Sequence, residues 1–240
     1  MLNELTKSLK HIIYTKENKC CFCNNSLTLY ENIFCNKCLY GISSWNNNYI
    51  TCKICGKFIK GQIICNDCGK SRPPFIMAKA VGAYEGIIKE TLQRFKYQGL
   101  QSLAGPMGRL MALEALKYKE FMQCSLITFV PLSTERLRER GYNQSQLLAH
   151  ELSRYIRLPV GDLLKKTIDT EPMAKLTKEE RLKNLAHVFR AKKQVNLQRV
   201  ILVDDVYTTG STVSLCCREL LKGGIKEVYV LTFATGCDIM

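Results

Sequence analysis

A chain of 240 residues with 46% hydrophobic, 9% aromatic and 23% charged side chains has material for a core and excludes a disordered chain. Its formal charge of +14 points to a polyanionic ligand or partner, and no apolar run approaches the roughly 20 residues of a membrane span. Residues 1–19 lack an apolar core followed by a small-residue cleavage site, so the chain reads as cytoplasmic, where paired cysteines more often hold metal than form disulfides.

The first segment, 1–19, spaces Leu2, Leu5, Leu9 and Ile12 at helical steps between lysines. It is expected to form an amphipathic helix docked on its own protein, with a membrane surface or partner as the alternative. Four Cys-x-x-Cys pairs follow: Cys20/Cys23, Cys35/Cys38, Cys52/Cys55 and Cys65/Cys68. Each pair sets two sulfurs on one tight knuckle, and two knuckles close a tetrahedral four-cysteine zinc site. Two zincs are assigned sequentially, one to the first four cysteines and one to the last four, with an interleaved pairing left open. The gaps Cys23–Cys35 and Cys55–Cys65 each have room for a β-hairpin. Gly56 and Gly69, directly after their knuckles, are placed for left-handed backbone. Cys21, Cys124, Cys216, Cys217 and Cys237 fall outside the pattern and read as packing residues.

Zinc changes the charge argument. A Zn²⁺ on four thiolates carries −2, so two sites bring the chain to about +10. Residues 1–74 hold ten lysines and arginines against four acids, which leaves this stretch only mildly basic once metal is counted. Ser71-Arg72-Pro73-Pro74 breaks both helix and strand. The expected division is therefore an N-terminal helix over 1–19, a double zinc-ribbon module over 20–74 and an α/β domain over 75–240.

In that domain Ala78–Tyr84 alternates as an edge strand, and Glu85–Tyr97 reads as a helix that Gly99 stops. A second helix spans Leu103–Tyr118, and Leu126–Pro131 is a buried strand. Strand, helix and strand in this rhythm predict a mostly parallel sheet with helices on both faces. Pro131 and Leu132 then open a stretch in which Arg136, Arg138 and Arg140 lie within five residues, at the carboxyl end of a strand, where open α/β sheets bind ligands. A solvated charged face is one reading; a loop that receives a phosphate group is the other. Gly141-Tyr142-Asn143-Gln144 leads into a helix Ser145–Ile156. Pro159–Thr167 can form a short strand, 168–179 a loop, Glu180–His187 a helix, Val188–Phe189 a strand and Val228–Phe233 the last strand.

The richest stretch runs from Val200 to Thr212. Val200-Ile201-Leu202-Val203 is apolar throughout, as for a strand buried on both faces. Asp204 and Asp205 end it. Thr208-Thr209-Gly210-Ser211-Thr212 then precedes a helix over Val213–Leu221. Free N–H groups between a strand end and a helix start suit a phosphate, and the paired acids suit sugar hydroxyls or a hydrated cation beside it.

This stretch resembles the signature of type I phosphoribosyltransferases, which bind phosphoribosyl diphosphate (PRPP). With the cysteine pairs, the Pro131–Gln144 stretch and Thr170, Leu176, Arg181, Asn184 and Phe189, the chain resembles the ComF family. The resemblance implies a type I phosphoribosyltransferase-like fold, with Asp204 and Asp205 on the ribose hydroxyls and residues 208–212 around the 5′-phosphate. It implies a pyrophosphate loop at Pro131, Leu132, Arg136, Arg138 and Arg140, Mg²⁺ bound with PRPP, and a flexible loop at Thr170, Met173 and Arg181. Met173 departs from the family's usual glutamine and can make neither amide hydrogen bond. The family is implicated in natural transformation, acting on incoming single-stranded DNA beside a helicase-like partner, and partners of that kind could bring a cytoplasmic protein to the membrane. The same resemblance leaves open an active transferase acting on a nucleobase-like acceptor, or an adaptor without catalysis. Lys89, Arg94, Lys96 and Tyr97 offer cations and an aromatic for single-stranded DNA, or simply the wet face of a helix. Tyr84, Phe95 and Tyr97 are candidates for recognising an acceptor.

Overall fold

The computed structural model describes residues 19–28, 33–167 and 188–239. The helix expected over 1–19, the loop carrying Thr170, Met173 and Arg181, and the helix Glu180–His187 lie outside the described residues, Lys19 excepted.

The elements run α1 (Asn36–Asn48), β1 (Ile50–Thr51), β2 (Phe58–Ile59), α2 (Asn66–Lys70), β3 (Met77–Ala83) and α3 (Gly86–Tyr97). Then come α4 (Ala104–Ala115), α5 (Lys119–Met122), β4 (Leu126–Phe129), α6 (Thr134–Arg140) and α7 (Gln144–Ile156). The chain ends with β5 (Leu164–Lys166), β6 (Phe189–Ala191), β7 (Arg199–Tyr207), α8 (Ser211–Lys222), β8 (Glu227–Thr235) and β9 (Cys237–Asp238).

The central sheet is parallel throughout, in the order β3-β8-β7-β4. β3 is an edge strand, as its alternation predicts. Along β7 the apolar run divides by period two: Ile201 and Val203 enter one core, Val200 and Leu202 the other. One face is covered by α4 and α7 through Met107, Met111, Leu148 and Leu152. The other is covered by α8 through Val213, Cys216, Cys217 and Leu220. Two covered faces explain why Val200–Val203 reads as continuously apolar.

The cysteine pairs pack on both faces as well. Phe22, Phe34, Cys35 and Cys38 share the first core with Phe233, while Cys52, Cys65 and Cys68 share the second with Ala78 and Val228. The two cysteine lobes therefore grip the sheet from opposite sides at its β3 edge. Ala78 N–H donates to the Ile54 carbonyl at 2.7 Å, and β9 pairs in parallel with β2. Gly56 holds φ +72°, and a Cβ there would lie 2.7 Å from the Ala78 carbonyl oxygen, so only glycine fits between knuckle and strand.

Four local expectations differ. The fully described Cys55–Cys65 gap holds no hairpin of its own; β1 and β2 pair across the Cys52–Cys55 knuckle, and a Lys19–Ser26 bridge spans the Cys20–Cys23 knuckle. Gly69 lies inside α2, without the positive φ that Gly56 has. Cys35 and Cys65 are the N-caps of α1 and α2, so the second pair of each lobe starts a helix. α1 itself is too polar to announce a helix; its cap and Ile42 against the core make it one.

The fourth difference matters most. Arg136, Arg138 and Arg140 lie on α6, not on a loop. Ser133 caps it by accepting from Arg136 N–H at 3.3 Å, and Gly141 at φ +75° ends it.

Candidate functional site

Two cysteine clusters are built alike. Within Cys20, Cys23, Cys35 and Cys38, and within Cys52, Cys55, Cys65 and Cys68, all four sulfurs lie within 4.8 Å of one another. The sulfurs thus gather in sequence order, not interleaved. Cys23 and Cys35 sulfurs stand 3.5 Å apart, as do those of Cys55 and Cys65. Four thiolates at about 2.3 Å from one ion would be about 3.8 Å apart, so each cluster fits a tetrahedral metal. Cys35 N–H donates to the Cys20 sulfur at 3.3 Å and Cys65 N–H to the Cys52 sulfur at 3.4 Å. Burial pushes the Cys20 and Cys52 thiols up, but these and neighbouring N–H donors outweigh it and hold both at about 7. Of the remaining cysteines, Cys124, Cys216 and Cys217 are buried and Cys21 and Cys237 half-buried.

At the carboxyl end of the sheet a cavity of about 400 Å³ gathers Asp204, Asp205, Thr208, Thr212, Arg136 and Arg140. Pro131 and Leu132 complete its wall on the β4 side. Arg138 is absent from it: two residues from either neighbour on α6, it faces away, whereas the i,i+4 pair Arg136 and Arg140 shares one side.

Both acids are buried, each 9% exposed. Asp204 accepts from Ser145 Oγ at 2.8 Å and from Asp205 N–H at 2.9 Å. Burial, and then the charge of Asp205, push the Asp204 carboxyl up to about 7, against the pull of Ser145 and Lys96. Asp205 Oδ2 meets Lys96 Nζ at 2.8 Å.

The phosphate-loop residues divide. Gly210 has φ +77° and caps α8, and a Cβ there would collide with the Tyr207 side chain. The turn that this glycine permits sends Thr208 and Thr212 into the acid cavity. Thr209 and Ser211, hydrogen-bonded to each other at 2.9 Å, border a second cavity of about 630 Å³. That groove separates α2 from α8. It is lined by Pro73, Pro74, Tyr207 and Leu215 and by the charged Lys70, Arg72 and Arg218, with Asp67, paired to Lys57, as the one acid.

The cations expected on one wet helix face are dispersed. The Arg94 guanidinium donates to the Phe22 carbonyl, Lys96 is taken by Asp205, and Lys89 sits 6.0 Å from the Tyr84 ring centre. Phe95 is fully buried and cannot face an acceptor. Tyr84 and Tyr97 do line the acid cavity, and Arg140 lies 5.2 Å from the ring centre of the exposed Tyr97.

Three site residues escape sequence reasoning. Ser145 sits in the first turn of a helix, where its hydroxyl looks like capping chemistry. Asn143 caps α7 and donates to the Val130 carbonyl at 3.0 Å, tying the helix to the end of β4. Lys96 belongs to a helix whose lysines look alike until the fold selects one. No helix among the described residues is long and apolar enough to cross a membrane.

Comparisons with known proteins bear on this arrangement. Residues 143–237 match the phosphoribosyl transferase domain family. The chain is 31% identical over 220 residues to competence protein F of Haemophilus influenzae, covering 88% of this chain and 94% of that protein. It is 31% identical over 188 residues to competence protein ComFC of Bacillus subtilis, covering 76% and 75% respectively. It is 30% identical to the DNA utilization protein YhgH of Escherichia coli, over 75% of this chain and 81% of that one. Among solved structures it is similar to the glutamine PRPP amidotransferase of B. subtilis, with a TM-score of 0.40 and 19% identity, over 55% of this chain and 26% of that one.

Proposed function

We propose, for a chain that belongs to the ComF family of competence proteins, a DNA-uptake protein that binds PRPP in the Asp204–Asp205 cavity and works on or with incoming single-stranded DNA. One observation carries the pocket reading. Two buried acids, two threonines at a helix start and two arginines of another helix converge on one cavity of about 400 Å³. In this reading Asp204 and Asp205 hold the ribose hydroxyls. Thr208 and Thr212, with the first N–H groups of α8, hold the 5′-phosphate, and Thr209, Gly210 and Ser211 shape the turn. Arg136 and Arg140 receive the diphosphate, with Pro131 and Leu132 as its wall. Mg²⁺ bound with PRPP supplies charge neutralisation of the diphosphate.

The cysteine clusters take Zn²⁺, whose binding energy helps to fold the lobes. The division into 1–19, 20–74 and 75–240 separates a helix, a double zinc-ribbon module and the phosphoribosyltransferase-like domain. In the same reading the protein acts in the cytoplasm, with association to the membrane through partners, a helicase-like one among the candidates.

The groove lined by Lys70, Arg72 and Arg218 supports the DNA half of the reading better than α3 does. Apolar side chains for bases beside cations for phosphates suit a single strand. A transferase acting on a planar acceptor is the second reading, favoured by Tyr97 standing exposed beside the cavity.

Calorimetric titration of the full chain tests both halves. PRPP with Mg²⁺ is expected to bind at least tenfold more tightly than ribose 5-phosphate or pyrophosphate. A single-stranded oligonucleotide is expected to lose affinity steeply with salt, and less steeply for Arg72→Ala with Arg218→Ala, which removes two phosphate contacts. Equal affinity for PRPP and its fragments rejects the pocket; a salt-independent affinity rejects the groove.

A further inference from the structure

The Lys96–Asp205 pair stands where the ribose hydroxyls are assigned in the reading above, beside the Mg²⁺ that would arrive with PRPP. Lys96 and Asp205 side chains are only 18% and 13% exposed, and their 2.8 Å contact is made inside the cavity. Lys96 lies in the last turn of α3, where the helix dipole favours a cation. Arg136 and Arg140 line the same cavity.

We propose that Lys96 is a positioning residue that makes the site refuse a bare divalent cation and admit one only together with a diphosphate. This rests on the acid cavity being the PRPP site. A cation arriving alone must share Asp205 with an ammonium or displace it. Displacement leaves Lys96 unpaired in a half-enclosed cavity already flanked by two arginines, which is costly. A diphosphate arriving with the metal gives the displaced ammonium a new partner of opposite charge. Metal and anion then bind cooperatively, each strengthening the other by the same factor. The order also protects the site: Mg²⁺ without its ligand cannot lock the acids.

The test uses Mn²⁺, a hard cation poorly suited to thiolate clusters, followed by electron paramagnetic resonance on the full-length zinc-loaded chain. The native protein is expected to bind Mn²⁺ alone weakly and at least tenfold more tightly with PRPP present. Lys96→Gln is expected to bind Mn²⁺ alone about tenfold more tightly than the native chain and to lose most of the enhancement by PRPP. Lys96→Arg, which keeps the charge, should behave as the native chain does. Adding Asp205→Asn to Lys96→Gln should abolish the tightened binding. If Lys96→Gln fails to fold, Lys96→Met preserves the packing of the stem and takes its place. Either variant binding Mn²⁺ alone no better than the native chain overturns the proposal. Should PRPP fail to bind at all, the pocket reading falls, while the Mn²⁺-only comparison still decides the role of Lys96.

Discussion

Asp204→Asn is expected to abolish PRPP binding and at the same time to make the protein more stable to heat at neutral pH. The two effects share one cause. Asp204 is buried beside a second carboxylate, so its folded-state pKa lies well above the ordinary value of about 3.9. The folded state therefore holds this proton more tightly than the unfolded one. Stability from this group is complete below about pH 4 and is lost as pH rises through about 7. Asparagine keeps an oxygen for Ser145 and for Asp205 N–H but never ionises. The variant should match the native protein near pH 4 and exceed it at pH 8 by about 1 kcal/mol, roughly 2–4 °C for a chain of this length. Ligand binding runs the other way. In the proposed reading the ionised carboxylate holds the ribose hydroxyls, so native PRPP affinity should rise across the same pH window. Thermal melts with and without PRPP, at pH 4 to 8, read both. A variant less stable than native at pH 8, or one still stabilised by PRPP, contradicts this account of Asp204.

Removing one metal should unfold far more than one lobe. Cys20, Cys35 and Cys38 share a core with Ile201 and Phe233, and Cys52, Cys55 and Cys65 with Val200 and Val228. β9 is bound in too, since it pairs with β2. A structural zinc site contributes about 10–16 kcal/mol in peptides, against about 5–15 kcal/mol for the whole stability of a domain. Cys52→Ser should lower the melting midpoint by more than about 10 °C and abolish PRPP binding with it, although no cysteine among the described residues lines the acid cavity. Metal analysis should return two zincs per native chain. A Cys52→Ser protein that melts normally and still binds PRPP would make the lobe a detachable appendage and contradict the shared cores.

These effects also mark what a sequence can disclose. The four apolar residues Val200–Val203 announce a doubly covered strand because burial on two faces leaves no polar alternation. The eight paired cysteines announce their clusters because ligand spacing is local. Asp204, Asp205 and residues 208–212 are adjacent in the chain, so their chemistry is legible as a string. Lys96 and Ser145 become site residues only when α3 and α7 are brought to the end of β7, and nothing local distinguishes them from other helix residues. The arginines of 136–140 are legible as a cluster but not as a helix. The alternation of glutamate and arginine hides a seven-residue helix set by Ser133 and Gly141, and that helix decides which two arginines reach the cavity. The cysteine lobes are legible as metal knuckles, while their grip on opposite faces of the sheet is a long-range property of Phe22, Phe233 and Ala78.

The most direct measurement is a crystal structure of the full chain grown with PRPP and Mg²⁺. The 5′-phosphate is expected against residues 208–212, the ribose diol on Asp204 and Asp205, and the diphosphate between Arg136 and Arg140 with Lys96 turned toward it. PRPP lying instead in the groove of Arg72 and Arg218, or an acid cavity still closed by the Lys96–Asp205 pair at saturating ligand, would contradict the proposed pocket.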